Sequence, residues 1–242
     1  MNTKAKEKLI VALDVETSAD ALKLLDDLRE TVGMFKVGSQ LFTAEGPDIV
    51  RQIVARGGRV FLDLKFHDIP NTVAAAGSEA TRLGVSIFNV HASGGAEMMK
   101  RTAESVAETA NRETLAKPKV IAVTLLTSLD QKSLEQIGSH DDSRSFVTRL
   151  ARMAASCGLD GVVASPHEIG IVRKTISDPE FLIVTPGIRS SNDEPDDQRR
   201  TLTTAEAIRA GADYLVVGRP ILNARDPVAA ANRIVEEIES VL

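Results

Sequence analysis

Short aliphatic runs alternate with amphipathic stretches along the whole chain. Nearly uninterrupted Val/Ile/Leu-rich segments at residues 9–15, 34–37, 60–65, 86–91, 119–125, 161–164, 181–185 and 214–217 predict parallel strands buried on both faces. The gaps predict helices. Ser18 can cap a helix whose Leu22, Leu25 and Leu28 share one face, and Pro47 and Gly57 suit the start and end of the next. Further helices are expected over residues 95–110, 143–157, 166–176, 203–209 and 226–241. Gly84, Gly158 and Gly211 each follow a helical stretch shortly before a strand, where a left-handed residue stops a helix. Eight βα units in 242 residues predict a single (β/α)8 barrel domain spanning residues 1–242. An open doubly wound sheet would need a glycine turn after its first strand, and Leu13-Asp14-Val15-Glu16-Thr17 has none.

Residues 63–72, Asp-Leu-Lys-Phe-His-Asp-Ile-Pro-Asn-Thr, break the pattern at the carboxyl end of an otherwise apolar strand. Alternation puts Asp63 and Lys65 on one side, about 7 Å apart along the backbone. Charges there are costly to bury unless paired. Asp68 follows at once, and Pro70 can open a helix at its first turn. Flanking carboxylates favour the charged form of a lysine, so Lys65 reads as a proton donor or electrostatic anchor. A Schiff-base nucleophile would need the opposite surroundings. The plain alternative is a strand-end salt bridge with no chemistry.

Composition narrows the possible partners. Hydrophobic residues make up 43% and aromatics only 3%, so the core must be aliphatic and a base-stacking surface is not expected. A net charge of −5 argues against binding a nucleic-acid backbone, while leaving room for a small anion held by local cations. The one cysteine, Cys157, allows no internal disulfide and sits in a helical stretch where a packing role is expected. The polar residues 1–8 lead straight into the first strand without a secretory apolar region, and no run approaches a membrane span. A cytoplasmic protein is expected.

In a barrel the carboxyl ends of all strands meet on one face, and the polar residues gather at those ends. Asp14, Lys36, Asp63 with Lys65, His91, Thr127, Arg189 and Gly218-Arg219 belong to strands one to five, seven and eight. Singly each has an ordinary reading: Asp14 as a turn cap, Lys36 as a snorkelling side chain, His67 and His91 as packing or hydrogen-bonded residues. Gly187, Gly218, Arg189 and Arg219 follow strands seven and eight, where barrels often bind phosphate. The polar loop over residues 187–200 reads as a solvated loop or as a lid over an anionic substrate.

Residues 60–72, with Leu13-Asp14, Lys36-Val37-Gly38, Val90 to Gly95, Leu126-Thr127-Ser128, Thr185 to Arg189 and Val217 to Ile221 in that order, resemble the orotidine 5′-phosphate decarboxylase family over essentially the whole chain. The resemblance implies a barrel homodimer that converts orotidine 5′-phosphate to UMP and CO2 without metal or organic cofactor. Lys65 would protonate the pyrimidine, with Asp63, Asp68 and Lys36 completing a charge array. Asp14, Lys36 and Asp63 would contact the ribose, and Thr127 the pyrimidine amide edge. Asp68 and Thr72 would serve the neighbouring subunit's site. Arg189, Gln198, Arg219 and the Gly218 backbone would hold the phosphate and close the lid.

Two rivals remain at this level. A sugar-phosphate decarboxylase or aldolase with a similar Asp-x-Lys-x-x-Asp motif would use Mg²⁺, yet strand two offers Lys36, Ser39 and Gln40 with no carboxylate before Glu45. A non-catalytic phosphate sensor would need Arg219 and the glycines but not the charge array.

Overall fold

The computed structural model describes residues 3–188 and 202–242. Strands β1 (Leu9–Ala12), β2 (Met34–Gly38), β3 (Val60–Phe66), β4 (Ile87–His91), β5 (Lys119–Val123), β6 (Gly161–Val163), β7 (Leu182–Pro186) and β8 (Tyr214–Val217) form a closed barrel in sequence order. Every pairing is parallel, and β8 closes onto β1 through Leu9–Leu215 to Val11–Val217. All eight expected strands are present. Several are shorter than their apolar runs: β1 stops at Ala12 and β5 at Val123, although Leu13 and Leu125 are buried too. Hydrophobicity reports burial, which continues past the last ladder hydrogen bond.

The helices among the described residues are α1 (Thr3–Glu7), α2 (Ser18–Leu28), α3 (Ser39–Glu45), α4 (Asp48–Ala55), α5 (Pro70–Arg82), α6 (Ala96–Glu113), α7 (Gln131–Gln136), α8 (Ser143–Ser156), α9 (Ile169–Thr175), α10 (Thr204–Ala210), α11 (Arg219–Leu222) and α12 (Pro227–Glu239). Pro70 opens α5, as its fixed φ and missing N–H suit a first turn. Gly84, Gly158 and Gly211 have φ of 75°, 78° and 107°, the left-handed stops that the sequence predicts. Three details differ. Residues 3–7 coil into α1 ahead of the first strand. The stretch 166–176 divides into a 3-10 turn, Pro166–Glu168, and α9. The cap of α2 is Thr17, whose Oγ1 accepts the Asp20 N–H at 3.1 Å, while the Ser18 N–H donates to Glu45 at 2.9 Å.

Strand alternation sorts the core into two layers. Ile10, Met34, Phe61, Ile87, Ile121, Val184 and Val216 fill the barrel interior. Their neighbours Leu9, Val11, Phe35, Val37, Leu62, Phe88 and Val90 pack outward among the helices. Continuing the inward register one step beyond Met34, Phe61 and Ile87 brings Lys36, Asp63 and Asn89 to the same side of the sheet. The aliphatic plug thus supports a polar layer above it.

Gly161 is where β6 and β7 come closest to conflict: a Cβ there falls 2.3 Å from the Leu182 carbonyl oxygen. Gly161 and Leu182 are partners in the ladder, so relief requires moving a strand. Gly161→Ala should cost about 1–3 kcal/mol, measured from the urea midpoint and slope; an unchanged midpoint would contradict this packing.

Candidate active site

At the carboxyl ends of the strands the barrel opens into a cavity of about 620 Å³. Asp14, Lys36, Asp63, Lys65, Thr127 and Arg219 line it, with Gly187 and Gly218 at the β7 and β8 ends. The charges alternate. Lys36 Nζ lies 3.0 Å from Asp14 Oδ1 and 3.5 Å from Asp63 Oδ2, and Lys65 Nζ donates to Asp63 Oδ1 at 2.7 Å. Side-chain exposure is 12% for both Lys36 and Asp63 but 54% for Asp14, so the middle of the array is the desolvated part. Gly38 makes room for it: a Cβ there would stand 2.9 Å from Lys36 Nζ.

Lys65 reaches the cavity by a route that simple alternation does not describe. Its φ is +52°, in the left-handed region, and the ladder between β3 and β4 shifts register between Leu62 and Phe66. A side chain in that conformation is strained unless its surroundings hold it. Asn89 of β4, fully buried, meets this strained segment. Its Oδ1 accepts the Lys65 backbone N–H at 2.8 Å and its Nδ2 donates to Asp63 Oδ1 at 2.6 Å.

Asp68 and Thr72 do not line this cavity. Both are exposed; Asp68 Oδ1 accepts the Ile69 N–H at 2.6 Å, and Ile69 itself is 66% exposed, unusual for a large aliphatic side chain. The rings of His67 and His91 lie 5.3 Å apart between centroids, tilted by 37°, beside the array. Cys157 Sγ donates weakly to the Ala96 carbonyl at 3.4 Å, away from the cavity lining. Gly187 has φ of +79°, and Gly218 precedes α11, whose first residue is Arg219. Arg189 and Gln198 lie outside the described residues, as does residue 189 onward in the expected lid up to residue 200.

Electrostatics follow from these contacts. Burial of Asp63 pushes its pKa up, but Lys36 and Lys65, with the hydrogen bonds from Lys65 and Asn89, outweigh it and hold the carboxyl below its ordinary value. His91 moves down from the usual imidazole value because burial, then His67 and Lys65, disfavour its cation; Asp63 opposes this only in part. Among the described residues no group of three or more His, Cys, Asp or Glu side chains is arranged to hold a metal ion, and none of the helices is long and apolar enough to cross a membrane.

Comparison with known proteins places this geometry. The model of the orotidine 5′-phosphate decarboxylase / HUMPS family matches residues 7–234. The chain belongs to that family. It is 53% identical over 242 residues to the orotidine 5′-phosphate decarboxylase of Syntrophotalea carbinolica, covering 100% of this chain and 99% of the relative. It is 54% identical over 238 residues to the Moorella thermoacetica protein of the same name, covering 98% and 94%. The crystal structure of orotidine 5′-phosphate decarboxylase from Lactobacillus acidophilus superposes with a TM-score of 0.84 at 36% identity, covering 95% of this chain and 98% of that one.

Within this decarboxylase-family barrel, the motif reading found Asp14, Lys36, Asp63, Lys65, Thr127, Gly218 and Arg219, which the structure gathers around one cavity. It passed over Asn89 and the steric role of Gly38. The signal for Asn89 was present: an amide in the middle of Ile87-Phe88-Asn89-Val90 must find partners once buried. His91 yields a stability prediction. Because its folded pKa is lowered from 6.5, the unfolded chain binds the proton more readily. Its contribution is therefore complete above the ordinary imidazole value and is lost as pH falls towards the folded value. His91→Gln should flatten the decline in unfolding free energy between about pH 7 and pH 5, followed by urea titration at each pH. Equal slopes for the two proteins would contradict it.

Proposed function

We propose that the chain catalyses decarboxylation of orotidine 5′-phosphate to UMP and CO2 in pyrimidine nucleotide synthesis, in the cytoplasm, without metal or organic cofactor. The carrying observation is the alternating Asp14–Lys36–Asp63–Lys65 array on one wall of a cavity that also holds Gly218 and Arg219. Similarity to named decarboxylases over the full chain supports the same reading. One barrel domain spanning the chain would carry the whole reaction.

The chemistry demands such an array. Breaking the bond from the pyrimidine C6 to its carboxylate releases neutral CO2 and leaves the electron pair on C6, where no carbonyl can delocalise it. A fixed ammonium at that carbon stabilises the developing charge, and its proton completes the new C6–H bond. Lys65 takes that role, regaining a proton from water afterwards. Asp63 and Lys36 orient it and contact the ribose, together with Asp14. Thr127 meets the pyrimidine amide edge. Arg219 and the Gly218 backbone hold the phosphate with Arg189 and Gln198, so that binding energy from the distant phosphate is used at the reacting carbon.

Asp68 and Thr72 fit this scheme through a homodimer in which each subunit completes the other's site. Their exposure, beside an exposed Ile69, suits a surface covered by a second copy. Asp68 would then stand near the substrate carboxylate.

Two measurements test the reading. EDTA-treated protein should convert orotidine 5′-phosphate to UMP, followed by ultraviolet absorbance, while Lys65→Ala loses nearly all activity. Absence of conversion by folded wild-type protein would sink the assignment, and added Mg²⁺ with sugar phosphates would then be screened. For the shared site, mixing inactive Lys65→Ala and Asp68→Ala dimers should restore activity through hybrids. No recovery despite demonstrated subunit exchange would count against Asp68 acting across the interface.

A further inference from the structure

We propose that Asn89 is a positioning residue for the reaction, locking the Lys65 backbone and the Asp63 carboxylate into the one arrangement that presents the Lys65 ammonium to the cavity. The inference rests on the decarboxylase reading and adds to it a residue outside the charged motif.

Asn89 is 0% exposed and stands on β4, one inward step above Ile87 of the barrel plug. Its two side-chain bonds both go to the array: Oδ1 takes the Lys65 N–H at 2.8 Å and Nδ2 gives to Asp63 Oδ1 at 2.6 Å. Only one orientation of the amide satisfies both. A backbone N–H can only donate and an ionised carboxylate can only accept, so turning the amide over would break both bonds at once.

Each bond answers a specific need. Lys65 has φ of +52° at the point where the β3–β4 register shifts, and its N–H is taken by the amide of Asn89. Without that acceptor the backbone is free to relax towards an extended conformation, which would turn the side chain away. Asp63 Oδ1 receives both Asn89 Nδ2 and Lys65 Nζ, while Oδ2 faces Lys36 at 3.5 Å. The amide therefore fixes the rotation of the carboxylate that aims Lys65. A neutral donor does this without adding charge, which preserves the alternation of the array.

The surroundings make the test clean. The charged groups next to the amide are Asp63 and Lys65 of β3; Lys36 of β2 reaches Asp63 from the far side. On β5 the ladder partner of Asn89 is Ile121, which is apolar. The remaining titratable neighbours are His91, two residues along β4, and His67, whose ring lies 5.3 Å from that of His91.

Wild-type turnover of orotidine 5′-phosphate is measured first; its absence would remove the function assignment and leave Asn89 out of the question. Given turnover, Asn89→Ala should lower kcat on the order of 100-fold, as a misplacement of about 1 Å does, with KM changed far less. Asn89→Asp is the second variant and covers the case in which the alanine protein does not fold. As a carboxylic acid the new side chain can repeat both bonds; as a carboxylate it opposes Asp63. Its kcat relative to wild type should rise as pH falls, the ratio setting aside whatever pH dependence the two proteins share. Asn89→Ala with kcat within about threefold of wild type would overturn the proposal. So would a folded Asn89→Asp protein whose activity ratio is independent of pH.

Discussion

One carboxylate constrains the site: Asp63, held between two ammonium groups and an amide. Lys36 comes from β2, Lys65 from the same strand as Asp63, and Asn89 from β4. Three adjacent strands must therefore keep their register for a single side chain to be satisfied. A buried charge with one partner removed is far more costly than a pair that was never built. The array consequently acts as a check on the fold, and the fold on the array.

The remainder of the barrel supplies stiffness. With few aromatics in the chain, the interior is plugged by Ile10, Met34, Ile87, Ile121, Val184 and Val216 around the buried ring of Phe61, with Tyr214 packed against the cluster. Close-packed aliphatic side chains resist displacement, so the polar layer above them inherits fixed Cα positions. The aim of the charged array then depends on side-chain hydrogen bonds within that layer.

Much of this was legible in the sequence because parallel strands buried on both faces are apolar almost without interruption, and polar residues at their ends stand out. What was not legible came from competition between neighbours. Thr17 and Ser18 are both good caps; in the structure the Thr17 hydroxyl takes the Asp20 N–H, and Glu45, distant in sequence, accepts the Ser18 N–H. Alternation correctly placed Lys65 on the side of Asp63, but the structure achieves it with a left-handed residue and a register shift that no periodicity announces. The strand ends were overextended because Leu13 and Leu125 remain buried beyond the ladder. Asp68 and Thr72 read from sequence as site residues, and a single chain leaves them exposed and out of the cavity lining.

The charge balance of the array bears on how the proposed reaction gains its rate. Asp14 and Asp63 against Lys36 and Lys65 sum to zero within one chain, and Asp68 from a second copy, as proposed, would add a negative charge, so the reacting end would offer a carboxylate substrate no net attraction. Among the described residues, the cation that lines the cavity outside the array is Arg219, the residue proposed to hold the phosphate. On the proposed reading binding energy would be concentrated away from the bond that breaks, which is the condition under which it raises turnover instead of merely tightening the ground state. As CO2 leaves, negative charge moves off the carboxylate and onto C6, next to the Lys65 ammonium. An array without net positive charge and with one well-aimed proton would reward that movement, whereas a cationic pocket would have held the carboxylate in place. Aim, rather than net charge, is therefore the quantity the strand ends have to control.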